Sequence, residues 1–234
     1  MLTALITAAS LSRFIKPEYW LDKAGKSAIY VVTAIIFAES GLFFGFFLPG
    51  DSLLFLTGFL TSSAAHDFAV KNNLTQVVDH IPSLPVLLVV FFLAAVAGDQ
   101  VGFWFGRKVG PALFSRPDSR LFKQSHVTRA HDFLEKYGPK TILLARFVPI
   151  VRTFAPIVAG VGRMRYRTFL TYNVIGGFCW AVGVTSLGAV LGKIDFIRKN
   201  IEYTIVAVIL LSLVPVFIEV LRHRRTAKAL SVSQ

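Results

Sequence analysis

The 234 residues are 54% hydrophobic and only 16% charged, with a mean hydropathy of +0.63. A soluble domain of this length carries more charge, so the composition argues for an integral membrane protein. The net charge is +12, but the bases fall between apolar runs and not along an aromatic-studded groove, which fits loops facing an anionic leaflet and argues against nucleic acid as a partner.

The opening stretch MLTALITAASLSRF has no early basic region, so a cleaved signal peptide is not expected. Residues 1–26 mix apolar positions with Arg13, Lys16, Lys23 and Lys26. That is too polar to span, and it predicts an amphipathic interfacial segment with Tyr19 and Trp20 at headgroup level. From about Ser27 to Leu48 the chain is long enough to cross an apolar core of about 30 Å as a helix. Pro49-Gly50 then breaks it, and Asp51 and Ser52 are ready N-caps for a shorter helix through about Thr61. A helix, a break and a half-length helix predict a re-entrant hairpin over 27–64. The plainer alternative is two ordinary helices joined by a surface turn.

Residues 62–83 are polar and lead into a convincing span over 84–106. Gly98, Gly102, Gly106 and Gly110 recur every four residues, a spacing that lets helix backbones approach closely. Asp99 lies inside the same span, either satisfied by backbone or facing a pocket. A basic connection over 107–140 follows, with an amphipathic surface helix expected at His126–Tyr137. His126 and His131 have no companion ligands and are read as solvated, so no metal or other cofactor is expected. A single cysteine, Cys179, rules out an intramolecular disulfide and gives no support to redox chemistry.

The stretch LARFVPIVRTFAPIVAGVG, Leu144 to Gly162, is the most informative of all. It carries Arg146 and Arg152 and is interrupted by Pro149 and Pro156, and Phe147-Val148-Pro149 mirrors the earlier Phe47-Leu48-Pro49. Arginine at membrane depth costs at least about 2.5–3.5 kcal/mol on insertion scales. Two of them beside proline breaks suggest a polar pocket of non-helical backbone shielded from lipid, in a second hairpin over 141–162. Spans over 168–192 and 203–221 follow, then a basic tail over 223–234. The positive-inside bias puts 107–140, the Arg163–Arg167 cluster and the tail in the cytoplasm, so 141–162 enters and leaves on one face. The expected fold over 27–222 is an all-α polytopic membrane protein, an inverted repeat with two facing re-entrant helical hairpins plus transmembrane helices.

Six residues separate Arg146 from Arg152, about 240° around a continuous helix. With Pro149 breaking the helix both can turn inward, and Thr153 can cap the second half-helix, whose positive end adds to an anion site. Arginine suits phosphate because its rigid fork binds two oxygens at once. Glu39 lies deep in an apolar run, where burial favours the neutral acid and a nearby arginine favours the carboxylate. That balance suits proton exchange, and Asp51 shares the role. The bland alternative is a static Glu39/Asp51–Arg146/Arg152 ion-pair set that only fixes the fold.

Phe47-Leu48-Pro49-Gly50-Asp51, Gly98-Asp99, Gly106-Arg107 and Ala145-Arg146-Phe147-Val148-Pro149-Ile150-Val151-Arg152-Thr153, running on to Ala159-Gly160, together resemble the bacterial DedA family of inner-membrane proteins. The resemblance covers nearly the whole chain, from about Ser27 to Lys228, and is close to the family's founding member. The family shares its core with the eukaryotic VTT-domain lipid scramblases. The resemblance implies a bacterial inner-membrane location and transport of a lipid phosphate, undecaprenyl phosphate or a phospholipid, driven by the proton-motive force. The family's two functional acids and two arginines match Glu39, Asp51, Arg146 and Arg152. A homodimer is compatible with so small a chain. A proton-coupled cation or drug exporter suits the acids and not the arginines, and a non-transporting assembly factor leaves the four charges unused. A membrane enzyme on lipid phosphates lacks its residues, because His66, His80, His126, His131 and His223 fall in loops or the tail and no D-x-x-D metal motif ends a span.

Overall fold

A computed structural model describes residues 17–42, 48–62, 65–114, 138 and 140–194, and the described residues are helical apart from short joints. Residues 1–16, Phe47, the helix expected at His126–Tyr137, the span over 203–221 and the tail lie outside them.

Helix α1 (Pro17–Ala24) buries Leu21 in the main core with Trp20 packed against it, so part of the segment expected at the interface is core. A 3₁₀ turn, Gly25–Ser27, leads into α2 (Ala28–Gly41). This helix stops earlier than the apolar run suggests. Its 14 residues reach about 21 Å at about 1.5 Å per residue, short of a core of about 30 Å. Leu42 is extended, and the chain resumes as α3 (Gly50–Leu60). Pro49, and neither Asp51 nor Ser52, is the N-cap of α3, which has no side-chain cap. Gly50 is thus the first residue of a helix, and the break precedes it.

Two short helices, α4 (Ala65–Lys71) and α5 (Thr75–His80), organise the polar stretch before α6 (Leu84–Phe114). Within α6, Leu84–Val109 is 26 residues of spanning hydropathy. The helix runs about two turns past the end expected at residue 106. Arg107 and Lys108 are good helix formers, and the basic connection therefore begins as helix. Next come α7 (Lys140–Ala145), α8 (Pro149–Val161) and α9 (Tyr166–Gly177). A π-helical turn, Phe178–Val182, joins α9 to α10 (Gly183–Leu191), and the three form one 26-residue span.

Pro149 occupies the first turn of α8, where its missing N–H removes no helical bond. Pro156, expected as a second break, sits inside α8 and does not end it. The chain accommodates it against a glycine: a Cβ built on Gly102 of α6 would lie 3.3 Å from the Pro156 Cβ.

Three helix crossings hold the centre together, and each passes over glycine. A Cβ on Gly98 would lie 2.5 Å from the Phe37 carbonyl oxygen, one on Gly106 2.2 Å from that of Ile157, and one on Gly188 2.1 Å from that of Phe55. These are the α2–α6, α6–α8 and α3–α10 contacts, so Gly98, Gly102 and Gly106 of α6 serve packing. Gly188→Ala is expected to push α3 and α10 apart and to lower stability in detergent by about 1–3 kcal/mol. Gly183→Ala, where nothing lies within 4 Å of the added carbon, is the control. Equal thermal unfolding of the two variants would refute the close crossing.

Ring pairs fix the direction of the two spans. Phe92 meets Phe178, Phe103 stacks on Phe169 at 4.3 Å, and Trp104 meets Tyr166. The spans run antiparallel, so the C-terminal end of α6 and the start of α9 share one side. Gly160, near the end of α8, reaches the same side against Phe103.

Candidate functional site

Four of the five charges that the sequence singles out are almost fully buried: Glu39 at 2%, Asp99 at 3%, Arg146 at 3% and Arg152 at 4% exposure. Asp51 is slightly more open, with 16% of its side chain exposed. Each comes from a helix end or a mid-span position. The last turn of α2 delivers Glu39 and the first turn of α3 delivers Asp51. Asp99 lies near the middle of the α6 span, Arg146 in the α7–α8 joint and Arg152 in the first turn of α8. The breaks between α2 and α3 and between α7 and α8 let these chain segments converge beside α6.

The charges sort into two sets. Arg152 donates through Nη1 to Asp51 Oδ1 at 2.7 Å and through Nη2 to Glu39 Oε1. Arg146 donates through Nη2 to Asp99 Oδ2, to Asn173 Oδ1 at 2.5 Å and to the Ala95 carbonyl at 3.3 Å. Asn173 in turn donates through Nδ2 to the Val96 carbonyl at 3.2 Å, which turns its oxygen toward Arg146. Trp180 couples the sets. Its indole N–H donates to Asp51 Oδ1 at 2.7 Å, and the Arg152 guanidinium lies 4.5 Å from its ring centroid, with that of Arg146 at 5.9 Å. Such stacking of a desolvated cation contributes about 2 kcal/mol. Trp180 stands on the π-helical turn, a local widening that often marks functional positions.

This pairing corrects the sequence reading in two respects. Both Glu39 and Asp51 go to Arg152, and Arg146 belongs to Asp99, which the sequence left between a backbone-satisfied acid and a pocket residue. Thr153 is not a cap: Val148 is the N-cap of α8, and the Thr153 hydroxyl donates to the Glu39 carbonyl at 3.2 Å. That bond ties α8 to the end of α2.

Glycine makes room for the charges. A Cβ on Gly50 would lie 1.5 Å from Glu39 Oε2, so the carboxylate rests against the first turn of α3, where a helix N-terminus favours negative charge. A Cβ on Gly176 would lie 3.3 Å from Arg146 Cδ. Three atoms of the cluster are buried without a hydrogen-bond partner among the described residues: Nε of Arg146, Nε of Arg152 and Oε2 of Glu39. A buried donor left unpaired costs about 1–3 kcal/mol, so the two Nε–H groups favour a ligand that supplies acceptors, while Oε2 of Glu39 is an acceptor open to a proton. Three carboxylates face two guanidiniums, which leaves one negative charge when all are ionised, and a single added proton balances the set.

Asn173 and Trp180 are the residues that sequence reasoning missed. The available signals were an amide inside a span, where polar groups are costly, and a tryptophan away from the span ends where interfacial tryptophans gather.

The chain is similar to known proteins over most of its length. The VTT domain matches residues 48–190, the interval that holds Asp51, Asp99, both arginines, Asn173 and Trp180. Protein DedA of Escherichia coli is 44% identical over 197 residues, 84% of each chain. The membrane protein Rv0364 of Mycobacterium tuberculosis is 42% identical over 219 residues, 91% of this chain and 90% of that one. The inner membrane protein YqjA of Escherichia coli is 29% identical over 185 residues, 79% of this chain and 77% of its own. No solved structure matches.

Proposed function

We propose, from the premise that this chain belongs to the DedA family of VTT-domain membrane proteins, that it carries a lipid phosphate across the inner membrane. The substrate class is undecaprenyl phosphate or a phospholipid, and protons exchange at Glu39 or Asp51. The observation that carries this reading is the pair of buried arginines, each with an unpartnered Nε–H, at the centre of a membrane protein. A lipid leaves its tail in the bilayer while its headgroup crosses, so a small anion path open to lipid suffices and an enclosed cavity is not required.

The steps follow from the charges. The cluster in its ionised form carries one excess negative charge and repels a phosphate. Uptake of a proton at Glu39 Oε2 removes one of the two anions that hold Arg152 and neutralises the set. The arginine fork then turns to the phosphate, bidentate and charge-assisted. Release of the proton restores the Glu39–Arg152 pair and expels the headgroup. The two forms differ in what each ion contacts, as a population shift requires.

We read α2–α3 and α7–α8 as two re-entrant hairpins facing each other, an inverted repeat. Supporting this, Ile142 of α7 and Ala159 of α8 both pack with Phe103 and Phe169, while Arg146 and Arg152 lie at the inner end between them. On the other side, α3 returns along α10, with Phe55 over Gly188. The positive-inside bias keeps the C-terminus in the cytoplasm. An exporter of cations would need free carboxylates, and Arg152 occupies both acids of the first hairpin.

The proton step is tested in proteoliposomes. An imposed pH gradient is expected to change the rate of lipid-phosphate movement by the native chain and to have no effect on Glu39→Gln, whose amide cannot take up the proton. A gradient response that persists in Glu39→Gln, and also in Asp51→Asn, would remove proton exchange from the account.

A further inference from the structure

Away from the buried cluster, a second basic site stands where α6 leaves the apolar core and α8 turns into α9. We propose that Arg107, Arg163 and Arg165, with Trp104 and Tyr166, form an interfacial site for the headgroup phosphate of an anionic phospholipid. The site does not depend on what the buried arginines carry.

Depth is the first argument. Arg107 lies eight residues beyond Asp99 on α6, about 12 Å at about 1.5 Å per residue, against about 15 Å for half an apolar core. With Asp99 near the middle of its span, Arg107 reaches headgroup level. Convergence is the second. Arg107 donates through Nη1 to the Met164 carbonyl at 3.4 Å, and its guanidinium lies 5.9 Å from the Phe103 ring centroid. It therefore sits beside the turn that carries Arg163 and Arg165. Trp104 and Tyr166, 45% and 37% exposed, meet at 5.7 Å on the same side, as the amphipathic rings of a membrane interface do. No acidic residue occurs in 100–114 or 160–172, while Lys108 and Arg167 add to the positive charge. The N-terminus of α9 has no side-chain cap and contributes further positive potential.

The backbone supplies the third argument. Helix α8 ends with Met164 N–H bonded to the Ala159 carbonyl at 3.0 Å and Arg163 N–H to that of Gly160 at 3.1 Å, with Arg163 at φ 54. This closure places a residue in the left-handed region that glycine fills most readily. Here Arg163 holds it, although Gly162 stands one residue before. A strained arginine at headgroup level is explained by a charge needed at that spot.

The test uses the purified full chain in mixed micelles of zwitterionic detergent doped with phosphatidylglycerol or phosphatidylcholine, read by thermal unfolding. Phosphatidylglycerol is expected to raise the native unfolding midpoint and phosphatidylcholine to leave it unchanged. Arg163→Gly is expected to unfold at a higher temperature than the native chain without phosphatidylglycerol, because the strain is gone, yet to gain less from its addition. The triple variant Arg107→Gln, Arg163→Gln, Arg165→Gln is expected to lose most of the phosphatidylglycerol shift. Lys193→Gln, at the far end of the second span, is expected to keep it. An equal shift with phosphatidylcholine, or a full phosphatidylglycerol shift in both Arg163→Gly and the triple variant, would overturn the site.

Discussion

Arg152→Lys is expected to fold and to lose at least about tenfold of the lipid-phosphate transport rate. The ammonium keeps a positive charge between Glu39 and Asp51, so α8 remains joined to α2 and α3. It cannot donate to both carboxylates from a planar fork while stacked 4.5 Å from the centroid of Trp180, as the guanidinium does. Losing one charge-assisted bond in a dry site costs about 1.5–3 kcal/mol, and about 1.4 kcal/mol is a factor of ten. Arg152→Ala goes further, because it leaves two carboxylates facing each other with no cation. Removing one partner of a buried pair costs about 3–5 kcal/mol of stability, so thermal unfolding must accompany its transport assay. A native transport rate in Arg152→Lys would show that charge alone matters and that the fork does not recognise phosphate.

Asp99→Ala is expected to destabilise the fold by about 3–5 kcal/mol, since it leaves Arg146 buried with no carboxylate partner among the described residues, held by Asn173 and the Ala95 carbonyl. Adding Arg146→Met removes the stranded charge and fills its volume with apolar atoms. Most of the lost stability is then expected to return, because apolar replacement of a whole buried pair is often neutral or better. Transport is not expected to return with it. This pair of variants separates the two readings of the buried charges. A double variant that is stable and inactive supports a working site. One that is stable and transports at the native rate would reduce Asp99 and Arg146 to a structural clamp.

Much of this was legible because charges in apolar runs are conspicuous. Glu39, Asp51, Arg146 and Arg152 announce themselves by the cost of burying them, and the prolines at 49 and 149 mark the breaks that let them converge. Which acid meets which arginine was not legible, because the partners lie 101 and 113 residues apart for Arg152. Spacing within one segment carries no information about contacts between two distant ones. The caps failed for a related reason. Asp51 and Thr153 have the chemistry of N-caps, but at a buried crossing their polar atoms go to tertiary partners. Pro156 misled because proline rules describe an isolated helix, whereas here the ring packs against a glycine of α6. Asn173 and Trp180 gave weaker signals than the charges, since a neutral amide and an aromatic in a span of 26 residues are easily read as ordinary membrane helix. Gly98, Gly102 and Gly106 were legible as packing residues because small residues four apart have one dominant use in membranes.

The central claim is that the buried arginines serve a lipid phosphate. The most direct measurement is transbilayer movement of a short-chain polyprenyl phosphate in liposomes containing the native chain, against protein-free liposomes and against a quaternary-ammonium amphiphile of equal chain length. The account predicts that the chain accelerates the phosphate lipid and leaves the cationic one at the protein-free rate. Acceleration of the cation alone, or of neither by a folded protein, would contradict it.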